Sequence, residues 1–429
     1  MASLETEAGY ATPGFSFWNP DEDEKTPELR WPLNVDIYDT MRRQDAQVIS
    51  VLRAVTLPIR RTEWRIDANG APAEVAQFVA ENLNLPLVGA EQAPRPVRTR
   101  DRFSWQEHLR LALLMLTFGH SFFEQTYRYE AGRFHLRKLG WRPPRTIAKV
   151  DVAADGGLVA IEQHGTGTKR ARMKVDRIVA YTNDREGGNW LGASLLRPAY
   201  KFWILKDRLL RVGAQTVDRN GMGVPVYKSP PAPERLTGDE LEAWQKDELK
   251  RGLDLAKSFR SGNQAGAAIS HGAEMELLGV KGTLPDADKP IRYYDEQIAR
   301  AVLAHFLNLG TETGSWALGS TFAEFFTLSL QTVANQIADV ATQHIVEDLV
   351  DINFGTEVPA PRVVFDEIGS RHPVTADAVR ALIECRALTA DDELETYLRT
   401  VYGLPAHNPS TARKRPEEGE NATQTAAER

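Results

Sequence analysis

The amino-acid sequence predicts an α+β fold organised around unusually long helices, and three observations support this class. Apolar residues recur at steps of three and four over residues 290–310 and 321–352, which is the helical period. Short β-type segments follow one another between residues 121 and 182. The 429 residues, 42% of them hydrophobic, are enough for two or three packed units.

The first segment, residues 1–30, predicts an arm that precedes the folded part of the chain. It contains glycine, proline and the acidic run Asp21-Glu-Asp-Glu24. A solvated, flexible arm is the first interpretation, and a segment that docks on a neighbouring subunit is the alternative.

Residues 31–188 predict an α+β unit that begins with helices. A helix is expected from Asp36 until Pro58 ends it, and Ser104 with Glu107 forms a capping box that opens another helix, which Gly119 ends. Asp155-Gly-Gly157 predicts a hairpin turn. The remaining expected elements are a strand at 62–67, a turn at 69–70, a helix at 73–83, and strands at 121–129, 134–139, 146–152, 159–164 and 177–182.

Residues 189–219 predict the most basic helix of the chain, expected from Gly192 to Val217, in which Asp207 is the only acidic residue. A solvated or salt-bridged face is one interpretation of this charge, and contact with DNA phosphates or with acidic residues of a neighbouring subunit is the other. The cations concerned are Arg197, Lys201, Lys206, Arg208 and Arg211.

Residues 220–289 differ from their surroundings because they are rich in proline and glycine. A helix is expected from Thr237 to Phe259, opened by a second capping box with Glu240, and a strand from Glu274 to Val280. The cations Lys250, Arg251, Lys257 and Arg260 are candidates for DNA contact, although surface solvation accounts for each one alone.

Two helices around residues 311–320 form the centre of the predicted fold. The first follows Pro290 and ends at Gly310, and the second is expected from Thr321 to Ile352, about 45 to 50 Å long, before Gly355 stops it. The apolar face of the second helix comprises Phe322, Phe326, Leu330, Val333, Ile337 and Val340. The intervening loop is rich in glycine and hydroxyl residues and consists of Thr311, Glu312, Thr313, Gly314, Ser315, Trp316, Ala317, Leu318, Gly319 and Ser320.

The C-terminal part predicts a returning strand, a helical hairpin and a tail. The strand covers residues 362–365 within the segment 321–370, the two short helices lie within 371–405, and the tail at 406–429 is expected to be disordered. Cys385 is the only cysteine, which excludes an internal disulfide, and its helical setting predicts a packing residue.

Charge and motifs exclude several function classes. The net charge of −7 argues against a protein that coats nucleic acid, since such binding requires clustered Lys and Arg. No apolar stretch is long enough to span a membrane, and the acidic N-terminus does not resemble a signal peptide, so a cytoplasmic protein is expected. We find no phosphate-binding loop or metalloprotease motif, and the pair His305 and His344 is better explained by packing. No catalytic residue, cofactor or metal is therefore predicted.

The order of short phrases along the chain resembles the portal proteins of tailed double-stranded-DNA bacteriophages, in particular the Mu-like branch. The similarity extends over roughly residues 30–370. The phrases are Asp36-Ile-Tyr-Asp-Thr-Met41 with Asp45 and Val48–Leu52, Glu63-Trp-Arg-Ile66, Trp105–Gly119 with Glu124, Gly192-Ala-Ser-Leu-Leu-Arg197, Asn220-Gly-Met-Gly-Val-Pro225, Leu309-Gly310, Gly319-Ser320 and Phe322-Ala323.

This resemblance implies a non-enzymatic subunit of a dodecameric ring around a DNA channel at one capsid vertex. It implies a wing at 31–188 and 321–370, stem helices at 189–219 and 290–310, a clip at 220–289, a tunnel loop at 311–320 and a small crown at 371–405. The implied partners are double-stranded DNA without sequence preference, the terminase large subunit, head–tail connectors, capsid and scaffolding protein. The alternative is a metal-dependent nucleic-acid-processing enzyme that uses scattered carboxylates.

Overall fold

The computed structural model of the chain divides into two compact units, Met1–Ile368 and Gly369–Arg429. It describes residues 24–90, 103–167, 169–222, 224–258, 268–278, 287–301 and 316–369, with the isolated residues 380, 383, 385, 394 and 395. The predicted N-terminal arm up to residue 23, the helical hairpin within 371–405 and the tail therefore lie almost wholly outside the described residues. Cys385 is exposed, so the prediction that it is a packing residue is wrong.

The N-terminal helix of the first unit is two helices, not one. Helix α1 (Leu33–Gln44) ends and α2 (Ala46–Arg61) begins at Asp45, whose backbone is extended. The Asp45 carboxylate accepts hydrogen bonds from the N–H groups of Gln47 and Val48, at 2.8 and 3.0 Å, and so caps α2. Pro58 lies inside α2 and does not end it.

The next elements agree with the sequence except that one helix is interrupted. Strand β1 (Trp64–Asp67) and helix α3 (Ala73–Leu83) lie where they were predicted. The Ser104 hydroxyl accepts from the Glu107 N–H at 3.5 Å and caps α4 (Trp105–Ala112), while the Glu107 carboxylate pairs with Arg110. A short helix, α5 (Met115–Phe118), follows the break and ends at Gly119.

Two three-stranded antiparallel sheets follow. One has the order β3-β2-β7 and the other β4-β5-β6, and buried Phe122, Ile147, Ile161 and Ile178 belong to a shared hydrophobic cluster. Strand β6 was not predicted, because four of its five residues are exposed and three are basic, so it lacks an apolar alternation. The strands are β2 (His120–Glu130), β3 (Arg133–Arg142), β4 (Ile147–Val152), β5 (Leu158–His164), β6 (Arg170–Lys174) and β7 (Ile178–Thr182).

The basic helix α6 (Tyr200–Met222) begins eight residues later than Gly192, where the sequence predicted it. Gly192 has φ 61°, and a Cβ there would lie 2.5 Å from the carbonyl oxygens of Asn183 and Gly119. Ser194 then donates to the Thr117 carbonyl at 2.5 Å. The phrase Gly192–Arg197 is therefore a tight junction with the end of α5 rather than a helix.

The described residues between 224 and 278 form a two-stranded sheet and one helix. Strand β8 (Val224–Lys228), which was not predicted, pairs with β9 (Glu274–Leu278), and α7 (Asp239–Ser258) packs on β8. The Tyr227 hydroxyl donates to Glu248 at 3.0 Å, and the Tyr227 ring lies so close to Gly252 that a Cβ there would be 2.2 Å from it. Helix α7 starts after Gly238, which has φ 60°, and not at Thr237.

The central helix pair is confirmed in kind but not in its boundaries. Helix α8 (Asp288–Arg300) is followed by residues outside the described part of the chain, which include Gly310. The second helix runs without a break through α9 (Trp316–Ala341), a π turn (Thr342–Val346) and α10 (Glu347–Phe354), roughly 60 Å at 1.5 Å per residue. Its first five residues, Trp316 to Ser320, are helical, so the prediction of a loop at 311–320 is wrong for that half.

The long helix packs on the sheets and helices of the first unit. Phe326, Leu330 and Ile337 are buried as predicted. Strand β10 (Arg362–Phe365) returns, as predicted, to pair with β1. At the other end, the Asn353 side chain accepts from the Phe134 N–H at 2.8 Å and donates to its carbonyl at 2.9 Å, so that α10 occupies part of the free edge of β3.

Candidate functional site

One face of α6 is exposed and cationic. Lys201, Ile204, Arg208 and Arg211 are all exposed and recur at steps of three, four and three, which places them on one side of the helix. Arg211 pairs with Asp207 at 2.8 Å, and both side chains are largely solvated. The face therefore presents a row of positive charge, part of which is already neutralised within the chain.

Lys206 is not on that face, which corrects its interpretation as a DNA or inter-subunit contact. Its side chain is 9% exposed and reaches Asp295 of α8 at 2.6 Å and Asp45, the cap of α2, at 3.0 Å. Burial alone would lower the pKa of Lys206, but the two carboxylates outweigh it and raise that pKa above its ordinary value. Lys206 thus joins three helices as a buried cation.

Arg197 lies before α6, in the junction that begins at Gly192. Its guanidinium pairs with both carboxylate oxygens of Glu24, and Tyr200 donates to Glu28. Arg197 is still 42% exposed. Burial would raise the pKa of Glu24, but Arg197 holds that pKa below its ordinary value. The cation therefore fixes the first described residues of the chain against the start of α6.

The cations of α7 fall into two groups. Lys250 and Lys257 are exposed. Arg251 pairs with Asp247 at 3.1 Å and with buried Glu248 at 3.0 Å, so its charge is partly compensated. Arg260 lies outside the described residues, and so do Thr311 to Ser315.

The outward face of α9, which lies opposite the apolar face predicted from the sequence, also carries large apolar side chains. Phe325 and Leu328 are 58% and 57% exposed, and exposed Thr332 and Asn335 continue the same side of the helix. These four residues are uncharged, and exposed Glu324 and Asp339 lie on the same side of the helix. An exposed apolar patch on a long helix is typical of a protein–protein contact.

Gln125 of β2 fixes the long helix to the sheet and was not singled out in the sequence. Its amide donates to the carbonyl of His344 at 2.6 Å and to the carboxylate of Asp348 at 2.7 Å, and its oxygen accepts from Tyr127 at 2.7 Å. Gln125 is 2% exposed. In the sequence, this role is indicated only by the presence of a polar residue at an inward-facing position of the predicted strand. Burial raises the pKa of Asp348 above its ordinary value.

Two buried histidines serve packing rather than chemistry. His108 lies 2.8 Å from the Tyr181 hydroxyl, and His120 donates through Nδ1 to the Leu191 carbonyl at 3.1 Å. Burial lowers the pKa of His108 to about 3 and that of His120 to about 4. In the described part of the chain, no group of three or more His, Cys, Asp or Glu residues is arranged to hold a metal ion. None of the described helices is both long and apolar enough to cross a membrane.

Solved structures define the class of fold. A chain in "Virion of native gene transfer agent (GTA) particle" matches with a TM-score of 0.54 at 12% identity, covering 88% of this chain and 95% of that one. Chains in "Neck of empty GTA particle computed with C6 symmetry" and "Neck of native GTA particle computed with C12 symmetry" match with TM-scores of 0.53 and 0.52, each at 12% identity over 87% of this chain and 94% of theirs. The fold is a mixed helix-and-strand fold shared with components of these particles.

The family is shown by sequence. The family model described as "Portal protein of Mu bacteriophage" matches residues 35–404, which is most of the chain. The chain therefore belongs to the portal protein family of Mu bacteriophage, and it is a phage portal subunit. The resemblance drawn from the short phrases is confirmed. Portal proteins are structural proteins, so family membership also supports a structural role rather than an enzymatic one.

Proposed function

We propose that copies of this chain close into a ring, a dodecamer, around a DNA channel at one vertex of a capsid. The family match over residues 35–404 is the observation that carries this proposal. A structure that shares the fold is a particle neck computed with C12 symmetry, which supports the ring. The ring would form in the host cytoplasm and become part of the virion.

The outward face of α9 supports a subunit contact on the wing. Its apolar residues Phe325 and Leu328 are costly to leave in water, and a second subunit that covers them would also meet the exposed carboxylates of Glu324 and Asp339 on the same side of the helix. We assign residues 31–188 and 321–370 to the wing, α6 and α8 to the stem, 220–289 to the clip and 371–405 to the crown.

Native mass spectrometry and electron microscopy test the ring. Phe325→Glu with Leu328→Glu should shift the population from ring to monomer, because two charges would be buried in the contact. Val88→Glu is the matched control, since Val88 is equally exposed, at 57%, but lies outside α9. A parent protein that stays monomeric over a wide concentration range would contradict the ring, and an unaffected ring in the α9 variant would contradict only this contact.

Within the channel, we propose weak contacts to DNA phosphates from Lys201, Arg208 and Arg211 of the stem and from the clip cations. Partial pairing of Arg211 with Asp207 supports this role, because strong, unpaired phosphate binding would arrest a moving DNA. Lys201→Gln with Arg208→Gln should lower DNA retention by filled particles and leave the ring intact. The same measurement on Lys250→Gln with Lys257→Gln shows whether the stem cations or the clip cations make the contact with DNA.

The constriction of the channel is assigned to residues 311–320, of which Trp316–Ser320 are the first residues of α9. Replacing Thr311–Ser315 with five glycines leaves the described helix intact and should preserve the ring, whereas the yield of DNA-filled particles should fall. The assignment would be contradicted if the variant failed to assemble. It would also be contradicted if the variant assembled and packaged DNA normally.

The proposed partners are the terminase large subunit and the head–tail connectors at the clip, together with capsid and scaffolding protein. A separate motor supplies the energy for packaging, so the purified ring should show neither nuclease nor nucleotidase activity. Turnover by a monomer or dimer in the presence of Mg²⁺ would instead support the nucleic-acid-processing enzyme.

A further inference from the structure

The π turn at Thr342–Val346 changes the rotational relation between the two halves of the long helix. The Glu347 N–H donates to the Thr342 carbonyl, five residues earlier instead of four. One residue is thereby added to that turn, and the residues after it are displaced by roughly 100° relative to an uninterrupted α-helix.

The burial pattern shows what this displacement achieves. The buried positions of α9, from Phe326 to Ala341, fall within an arc of about 120° at the α-helical period. Continued at that period, buried Val346 and Val350 would fall among the exposed positions Thr332 and Asp339. Once one residue is subtracted for the π turn, Val346 falls within the arc of the buried side and Val350 about 20° beyond its edge.

The turn is held by hydrogen bonds to two strands, through the Gln125 side chain of β2 and a backbone N–H of β10. The Gln125 amide donates to the carbonyl of His344, within the turn, and to Asp348 one turn later. The Thr342 hydroxyl accepts from the backbone N–H of Val363 in β10, at 3.0 Å. Neither bond is internal to the helix, so the sheet and β10 both contact the helix where its period changes.

We infer that the π turn is a one-residue insertion that sets the rotation of α9 relative to α10, and that Gln125 is the positioning residue that holds it. The turn thereby fixes the direction in which Phe325 and Leu328 of α9 face. The inference concerns the fold of one subunit and does not depend on the proposed channel.

Single-residue deletions test it in the full chain. Deleting exposed Gln343 should convert the π turn into an α turn and leave both buried sides aligned, so the unfolding midpoint should stay within about 3 °C of the parent. Deleting Asp339, which is also exposed but lies in α9, should rotate everything before it by about 100° and lower the midpoint by more than about 6 °C. Equal destabilisation by the two deletions would overturn the inference.

Cysteine labelling gives an independent measurement of rotation. With Cys385→Ser as background, and at a dilution at which the chain is monomeric, Leu328→Cys should label fast and Ala334→Cys slowly in the parent, because in one subunit Leu328 is exposed and Ala334 is fully buried. The Gln343 deletion should preserve this contrast. Gln125→Leu, which fills similar space but cannot donate, should increase hydrogen exchange at residues 342–347. Lost contrast in the Gln343 deletion, or unchanged exchange in Gln125→Leu, would count against the inference.

Discussion

Removing the charge of Lys206 should destabilise the fold far more than removing any exposed cation of the same helix. In Lys206→Met the side chain keeps its length, but Asp45 and Asp295, with 8% and 29% of their side chains exposed, lose their counter-charge. Breaking a buried ion pair costs about 3–5 kcal/mol. We expect about 3 kcal/mol, because Asp295 is solvated enough to be partly screened.

Guanidinium chloride unfolding at fixed protein concentration, followed by circular dichroism, measures this loss. The control is Lys201→Met, whose effect should stay within about 0.5 kcal/mol because Lys201 is exposed. Adding Asp45→Asn and Asp295→Asn to Lys206→Met should recover most of the stability, since the stranded charges disappear and Asn still caps α2. Equal unfolding of Lys206→Met and Lys201→Met, or lost DNA retention at unchanged stability, would refute the structural role of Lys206.

Three further predictions concern packing and pH. Phe326→Ala and Ile337→Ala should each cost about 2–5 kcal/mol in thermal unfolding, because both side chains are buried; unchanged midpoints would show that this face is not packed. Gly252→Ala in α7 should destabilise the packing of α7 on β8 by about 1–3 kcal/mol, because the new Cβ would clash with the Tyr227 ring. Gly213→Ala should instead stabilise α6 by about 1 kcal/mol, because the nearest atom to its Cβ would be 3.6 Å away. Hydrogen exchange should rise in β8 in the first variant and fall in α6 in the second. His108 and His120 should make the protein acid-sensitive. Their pKa values are about 3 and about 4 in the folded protein but near 6.5 when unfolded, so the unfolded state binds protons first as the pH falls. The free energy of unfolding should therefore fall by about 1.4 kcal/mol per pH unit for each histidine from pH 6.5 towards pH 4. Replacing both by Gln should flatten this slope.

The sequence predicted elements whose signals are local. Helix α3, strand β10 and the Ser104 cap are where turn residues and apolar periods placed them, because these elements depend on neighbouring residues. The strand β6 was missed because its residues are charged, and its position depends on pairing with β5.

The errors arose where distant contacts decide the outcome. The sequence predicts that a helix starts at Gly192, yet the backbone of Gly192 is fixed by Gly119, some seventy positions earlier in the chain. Lys206 could not be told from its exposed neighbours, because its partners Asp45 and Asp295 belong to other helices. No residue type in the sequence indicates the π turn. It becomes apparent only when the buried side of α9 is compared with the buried side of α10.

The Asn353 side chain that occupies both backbone groups of Phe134 has a consequence for self-association. Strand β3 is an outer strand, and an open strand edge at high local concentration is a template for further strands. With an amide bonded to that donor and acceptor, this end of β3 cannot add a strand from another copy. At this end of β3, contacts between copies are thereby confined to side-chain surfaces, which can close into a finite assembly, whereas strand addition there would continue into a fibre.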